Sequence, residues 1–194
     1  MFAQIENMST EQVTAPQTPA PPTQGEFGIL LKNKGINSTP LGLDADSIEM
    51  IELDSKDLVS SCKLLKENPE SPFDFLVLIT SLDLKKGYQS VYTLHSTKTK
   101  KSLRLKVTVP KNNPMVPTIS HLWSTADWYE REAYDMMGII YTGHPDLKRI
   151  LNPENWEGYP LRKDYIPSAD SLNGPHPLTE PNLAEKTFSK PHKE

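Results

Sequence analysis

Hydrophobic residues in the first third of the chain fall into short periodic runs, and each run predicts one element. The segment FGILLKNKG predicts a short helix that ends near Gly35, and DSIEMIEL (46–53) predicts a strand. Asp54 or Ser55 can cap the helix that follows. The apolar stripe of this second helix comprises Leu58, Val59, Cys62 and Leu65.

The middle of the chain is strand-like. The segment PFDFLVLITSLDL (72–84) begins with a continuous apolar run, which is typical of a strand covered on both faces. The segments YQSVYTLHS (88–96) and SLRLKVTVP (102–110) flank the polar turn STKTKK and predict a hairpin. Strict alternation of apolar and polar residues in the second of these strands predicts a sheet with one buried face and one solvent-exposed face.

The only long helix candidate spans about residues 121–137 and ends at Gly138. At 100° per residue, Glu130 falls on the same side as Trp123, within an apolar stripe. An unpaired buried charge costs several kcal/mol, so a carboxylate on that side needs a cationic partner or several hydrogen-bond donors.

Two interpretations of Glu130 stay open at this point. Arg131 can pair with Asp127 and Asp135 along the helix, so the cations left for Glu130 lie downstream. These candidates are Lys148, Arg149, Arg162 and Lys163. Arginine suits a carboxylate best because its planar fork binds both oxygens. Alternatively, Glu130 lies at the edge of a narrower stripe and reaches water.

Composition divides the chain into three parts. Residues 1–25 are rich in Pro, Thr and Gln and predict a disordered or extended tail. Residues 26–140 predict an α+β domain, a small mixed sheet with flanking helices and one long helix. Residues 141–194, which contain eight prolines after position 143, predict an extended arm, and we refer to them as the arm. Aromatic residues and arginines in such an arm more often anchor a partner than fill a core, so we expect the arm to dock on a partner.

Charge and cysteine content narrow the function classes. The formal charge of −4 argues against a protein built mainly to bind nucleic acid. One cysteine, Cys62, cannot form an internal disulfide, a zinc site or an iron–sulfur cluster, and it fits a reducing compartment. The N-terminus lacks a signal-peptide pattern, and the longest apolar run, FDFLVLIT, is far too short to span a membrane, which predicts a soluble chain.

The sequence contains none of the common motifs for nucleotide binding, metal binding or catalysis. It contains no GxGxxG, P-loop, CxxC, HExxH or GxSxG pattern, and its five histidines are scattered. His144 and Asp146 share a proline-containing turn, where a histidine is more often structural than a metal ligand. Glu130, Glu132 and Asp135 can in principle act as acids or bases, but a charged helix is usually a solvated face. We therefore predict no catalytic, cofactor or metal site in this chain.

Residues 123–165 carry a family resemblance. They read WSTADWYEREAYDMMGIIYTGHPDLKRILNPENWEGYPLRKDY and resemble the signature of the 30-kDa subunit family of respiratory complex I, namely the C subunit of NADH-quinone oxidoreductase and the J subunit of the cyanobacterial and plastid enzymes. The first block falls on Glu130, Arg131, Glu132, Asp135, Met136, Met137, His144, Lys148, Ile150 and Leu151. The second block falls on Gly158, Pro160, Leu161, Arg162, Lys163, Asp164 and Tyr165. Met137 and Asn152 depart from the residues common in the family, Phe and Met.

The resemblance implies a non-catalytic, peripheral-arm subunit of a proton-translocating NAD(P)H or ferredoxin:quinone oxidoreductase. Its partners would be the large quinone-site subunit and the small iron–sulfur subunit, with flavin and clusters in partner chains and none here. It would lie on the cytoplasmic or stromal side of an energy-transducing membrane. Alternatives are a subunit of a related membrane-bound hydrogenase and a stand-alone interaction module. The interface or structural residues so predicted are Glu130, Arg131, Glu132, Asp135, His144, Lys148, Arg149, Arg162, Lys163 and Asp164.

Overall fold

A computed structural model describes residues 25–167. The helices are α1 (Glu26–Asn33), α2 (Leu58–Lys66, preceded by a 3-10 turn at Ser55–Asp57) and α3 (Ala126–Met137). The strands are β1 (Ser38–Leu43), β2 (Glu49–Leu53), β3 (Phe75–Leu84), β4 (Gly87–His95), β5 (Ser102–Val109), β6 (Met115–Pro117) and β7 (Ile140–Thr142). Five strands form one sheet in the order β1-β2-β5-β4-β3, in which only β2 and β5 are parallel, and β6 and β7 form a separate parallel pair. The predicted α+β class with a small mixed sheet is confirmed.

The hydrophobic core lies on one face of the five-stranded sheet. Alternate residues of β5, from Leu103 to Val109, are buried there, and Tyr88 and Tyr92 of β4 lie beside them in register. Residues of all three helices join the same cluster, including Phe27, Leu58 and Ala133. The helices therefore cover one face, as the alternation in β5 predicts.

The expectation that β3 is covered on both faces is wrong. β3 is an edge strand, and the side chains of Phe75, Leu82 and Leu84 are exposed. A continuous apolar run cannot distinguish a central strand from an edge strand, because position in the sheet depends on the partners that other segments supply. The strand that is buried on both faces is its neighbour β4, in which every residue except the last, His95, is buried.

Three strands were not predicted from the sequence, and the start of α3 was predicted at the wrong residue. β1 contains Pro40 and Gly42 around an irregularity in its pairing, and both residue types usually argue against a strand. β6 and β7 have three residues each, too few for a period to show. α3 begins at Ala126 instead of near residue 121, because the chain first turns through a hydrogen bond from the Trp123 amide to the Ile119 carbonyl.

Helix α1 is tied to the sheet at its first turn. The Glu49 carboxylate in β2 accepts hydrogen bonds from the amides of Phe27 (3.1 Å) and Gly28 (2.9 Å). These amides have no partner within the helix, and the positive end of the helix dipole favours a carboxylate there. Glu49 therefore fixes helix α1 against β2, which lies next to the edge strand β1 and away from β3.

Candidate functional site: helix α3 and the arm

Asp135 is the point at which the arm is bound to helix α3. Its side chain is fully buried, and its two carboxylate oxygens accept five hydrogen bonds. Oδ1 accepts from Arg149 Nη1 (2.7 Å) and from the Asn152 side-chain amide (2.9 Å). Oδ2 accepts from the backbone amides of residues 150, 151 and 152 at 2.7–3.0 Å. One aspartate thus orders four consecutive residues of a segment without helix or strand.

The electrostatics of Asp135 agree with this role. Burial disfavours the charged carboxylate, but the hydrogen bonds from Asn152, Arg149 and Leu151 outweigh burial and hold the pKa of Asp135 below its ordinary value. The carboxylate therefore stays ionised and keeps all its acceptor capacity at physiological pH.

Arg149 links Asp135 of helix α3 to residues further along the arm. Its Nη1 also donates to the Asp135 carbonyl, and its Nη2 donates to the carbonyls of Trp156 and Gly158, each at 3.1 Å. The expected pairing of Glu130 with an arginine of the arm is wrong, because the acid that binds the arm is Asp135. Helical periodicity places both acids near the buried side, but it does not reveal which of them the returning chain reaches.

Glu130 has a different environment. Its side chain is fully buried, so the alternative that it reaches water is also wrong. Its carboxylate accepts hydrogen bonds from the Thr118 hydroxyl (2.5 Å) and the Ile119 amide (2.8 Å), which precede α3. The carboxylate therefore meets its need for donors through neutral groups and fixes the connection between β6 and α3.

Burial raises the pKa of Glu130 from 4.5 to about 7, against the opposing effect of its hydrogen bonds to Thr118 and Ile119. Burial also raises the pKa of its neighbours Cys62, Tyr92 and Tyr141. These groups keep their protons in the interior beneath α3. Cys62 is consequently a buried, unreactive thiol.

His144 closes the start of the arm onto α3. Its Nε2 atom lies 2.9 Å from Asp127 Oδ1 and 3.9 Å from Glu130 Oε2, and its side chain is fully buried. Its Nδ1 accepts the Asp146 amide at 3.1 Å, so the neutral ring carries its proton on Nε2. These contacts tie the turn that contains His144 to helix α3.

The predicted pairing of Arg131 with Asp127 and Asp135 along the helix is wrong. Within residues 25–167, Arg131 makes no ion pair; its Nε donates to the Lys148 carbonyl at 3.4 Å. Its guanidinium lies 4.9 Å from the ring centre of Trp128, which is 60% exposed. Both acids instead face the arm, because Asp127 contacts His144 and Asp135 binds Arg149.

Arg162 brings the second signature block onto the end of α3. Its Nε donates to the Met137 carbonyl at 2.8 Å, and its guanidinium lies over the rings of Tyr88 and Tyr159. This approach is possible because Gly138 has no side chain. A Cβ atom at Gly138 would lie 2.3 Å from Arg162 Nη2 and 2.6 Å from the Tyr159 ring.

Gly138→Ala is expected to lower the free energy of unfolding more than Gly35→Ala does. Both glycines adopt the left-handed backbone conformation, with φ of +71° for Gly138 and +78° for Gly35. Both substitutions therefore carry a backbone cost of about 1–2 kcal/mol. A Cβ at Gly35 would meet nothing within 4 Å, so the difference between the variants measures the packing of Arg162 and Tyr159 against Gly138. Urea unfolding of both variants checks this, and equal losses would contradict it.

The remaining predicted residues lie at the surface of the same region. The Lys163 amide donates to Asp83 Oδ2 at 2.8 Å, which joins the arm to β3, while its side chain and that of Asp164 are exposed. Lys148 forms an exposed ion pair with Asp146 at 2.8 Å. Glu132 is exposed on α3. The structure therefore brings the two signature blocks of the sequence together. The side chains of Glu132, Lys148, Lys163 and Asp164 point to the surface of this region.

Several residues of this region escaped the sequence analysis. Thr118 and Ile119, which bind Glu130, lie in a proline-rich connection without a motif. Asn152, which departs from the family pattern, supplies a side-chain donor to Asp135. Such partners are recognisable only once the fold brings them together.

Two kinds of feature are absent from the described residues, 25–167. No helix there is long and apolar enough to cross a membrane. No group of three or more His, Cys, Asp or Glu side chains among those residues could hold a metal ion.

Comparisons with known proteins identify the class of this chain. A sequence model of the family described as respiratory-chain NADH dehydrogenase, 30 Kd subunit, matches residues 51–171, more than half of the chain. The J subunit of NAD(P)H-quinone oxidoreductase from the Chaetosphaeridium globosum chloroplast is 39% identical over 149 residues, covering 74% of this chain and 87% of that protein. The C subunit of NADH-quinone oxidoreductase from Chloroherpeton thalassium is 45% identical over 103 residues, covering 52% of this chain and 43% of that protein.

A solved structure shares the fold. A chain of the membrane-bound sulfane sulfur reductase, an archaeal respiratory membrane complex, superposes with a TM-score of 0.62 at 19% identity, covering 87% of this chain and 94% of that chain. The sequence matches define a subunit of an oxidoreductase complex. The chain belongs to the 30-kDa subunit family of respiratory-chain NADH dehydrogenase, which confirms the resemblance in residues 123–165.

Proposed function

We propose that this chain is a non-catalytic, cofactor-free subunit of a complex I-type NAD(P)H (or ferredoxin):quinone oxidoreductase that couples electron transfer to proton translocation. Its role is to support the subunits that form the quinone site, namely the large subunit and the small iron–sulfur subunit. The names of its relatives, the J and C subunits of quinone oxidoreductases, support this assignment. We place it on the cytoplasmic or stromal side of the membrane as a peripheral component.

The observation that carries the proposal is the surface of α3 and the arm. Among the described residues, four of the five most exposed large hydrophobic side chains lie there: Trp128 (60%), Leu151 (61%), Leu161 (61%) and Ile166 (85%). Exposed tryptophan beside arginine is the composition of protein interfaces, and here Trp128 packs against Arg131. Asp135 and Arg149 hold this surface in one shape before a partner arrives, which lowers the ordering cost of binding.

Co-purification tests the proposal. A tagged full-length chain, expressed in its own host and extracted from membranes with mild detergent, is expected to bring down cluster-bearing partners and quinone reductase activity. The iron–sulfur and flavin absorbance should follow the partners and leave the chain when the complex is dissociated. A chain recovered alone from the soluble fraction, or one that retains a chromophore after desalting, would contradict the assignment.

Trp128→Ala is the matched variant for this experiment. The ring is mostly exposed in the described chain, so its removal should leave the melting temperature of the isolated chain nearly unchanged while reducing recovery of partners. Leu43→Ala on β1, the sheet edge opposite β3 and the arm, is equally exposed and is the control that should retain the partners.

A further inference from the structure

Arg162 is held in a rigid socket, which we define as the rings of Tyr88 and Tyr159 together with the Met137 carbonyl. The guanidinium carbon lies 4.7 Å from the centre of the Tyr88 ring and 4.2 Å from that of Tyr159. Nε is taken by the Met137 carbonyl at 2.8 Å. Stacking and this hydrogen bond fix the plane of the fork without using its outer edge.

The charge of Arg162 has no counter-ion in the described chain. None of the carboxylates in residues 25–167 lies within 4.0 Å of its nitrogens, and its Nη groups donate no hydrogen bond there. The acid on the neighbouring strand, Asp83, is already bound by Lys111 Nζ at 2.5 Å and by the Lys163 amide. Arg149, by comparison, is paired with Asp135.

The socket opens into a preformed cavity of about 340 Å³. It is lined by Glu157, Gly158, Tyr159, Arg162, Asp164, Tyr165 and Ile166. Arg149 holds one wall in place through the carbonyls of Trp156 and Gly158. Ile166 of this lining and Leu161, which precedes Arg162 in the chain, present exposed aliphatic surface.

We propose that the Arg162 socket receives a single carboxylate side chain from a partner subunit, with apolar residues next to that carboxylate packing on Leu161 and Ile166. A planar fork with free outer nitrogens fits a carboxylate through two parallel hydrogen bonds. Glu157 and Asp164, which also line the cavity, repel a strongly acidic segment, so the matching partner segment has one acid among apolar or basic residues. This inference rests on the proposed function, because it assigns the contact through which the arm recognises a neighbouring subunit.

A carboxylate probe tests the socket in the unmodified full-length chain. The side-chain ¹⁵N–¹H resonances of Arg162 are expected to shift saturably on titration with sodium acetate, and not with sodium chloride at equal ionic strength. Arg149, whose fork is occupied by Asp135, is the internal control and should not shift. Absence of a saturable, acetate-specific shift at Arg162 would overturn the inference.

Arginine modification then identifies the source of the carboxylate. Phenylglyoxal should modify Arg162 readily in the isolated full-length chain and severalfold more slowly in the purified complex, relative to Arg104 as the internal standard. If Arg162 is already protected in the isolated chain and a variant ending at Pro167 loses that protection, the chain's own C-terminal acids fill the socket and the partner assignment is wrong. Equal reactivity in chain and complex would also overturn it.

The two proposals fail separately. A chain that binds acetate at Arg162 but brings down no cluster-bearing partner contradicts the proposed function. That result does not contradict the affinity of the socket for a carboxylate. A chain that assembles normally but shows neither acetate binding nor protection of Arg162 contradicts only the socket.

Discussion

Replacing Asp135 by asparagine is expected to lower the free energy of unfolding by about 3–5 kcal/mol, the cost of breaking a buried ion pair from one side. The substitution removes a negative charge next to Arg149 and replaces one acceptor oxygen by an amide that faces donors. The donors that face the new amide, either those of Arg149 and the Asn152 side chain or the three backbone amides, then lack a partner. Urea unfolding of the isolated chain measures the loss.

The matched control is Glu132→Gln. Glu132 is exposed on the same helix, so the same chemical change should alter the free energy of unfolding by less than about 0.5 kcal/mol. The double variant with Arg149→Gln should cost clearly less than the sum of the single variants, with a coupling of about 1–3 kcal/mol. Additive losses would mean that Asp135 and Arg149 do not act as a pair.

The second large effect concerns pH. The folded chain holds a proton on Glu130 that the unfolded chain releases, because burial raises the pKa from 4.5 to about 7. The folded state therefore binds more protons between these values, and the free energy of unfolding should fall by about 3 kcal/mol as pH rises from 4.5 to 7, and then level off. Unfolding curves across this range test the expectation.

Glu130→Gln should remove that slope, since glutamine does not titrate. In Thr118→Val, the free energy of unfolding should continue to fall to a higher pH. Loss of the hydroxyl removes a hydrogen-bond donor that favours the charged Glu130 carboxylate, so the pKa of Glu130 rises further. The other carboxylates with shifted pKa, including Asp83 and Asp135, have lowered values and affect stability only below about pH 4. A slope that persists in Glu130→Gln would assign it to another group.

Local patterns were sufficient for much of this structure. The alternation in β5, the stripe of α2 and the stop at Gly138 follow from side-chain periodicity and backbone preference, and each is present. The described part of the arm could not be predicted in this way, because its conformation depends on Asp135 and Asp83, which lie outside it. Proline content correctly excluded helix and strand in its described residues 143–167, but it carried no information on which acids the arm would reach.

The contact between Asp83 and the Lys163 amide spans 80 residues. It requires the sheet to be in place, so we expect the part of the arm around Lys163 to become ordered late in folding and to contribute little to the folding transition state. A chain that has not finished folding therefore lacks the surface formed by Trp128, Leu151 and Leu161. Under the proposed function, recognition of a partner through that surface would select folded chains over incomplete ones, and the order of folding would then set the order of assembly.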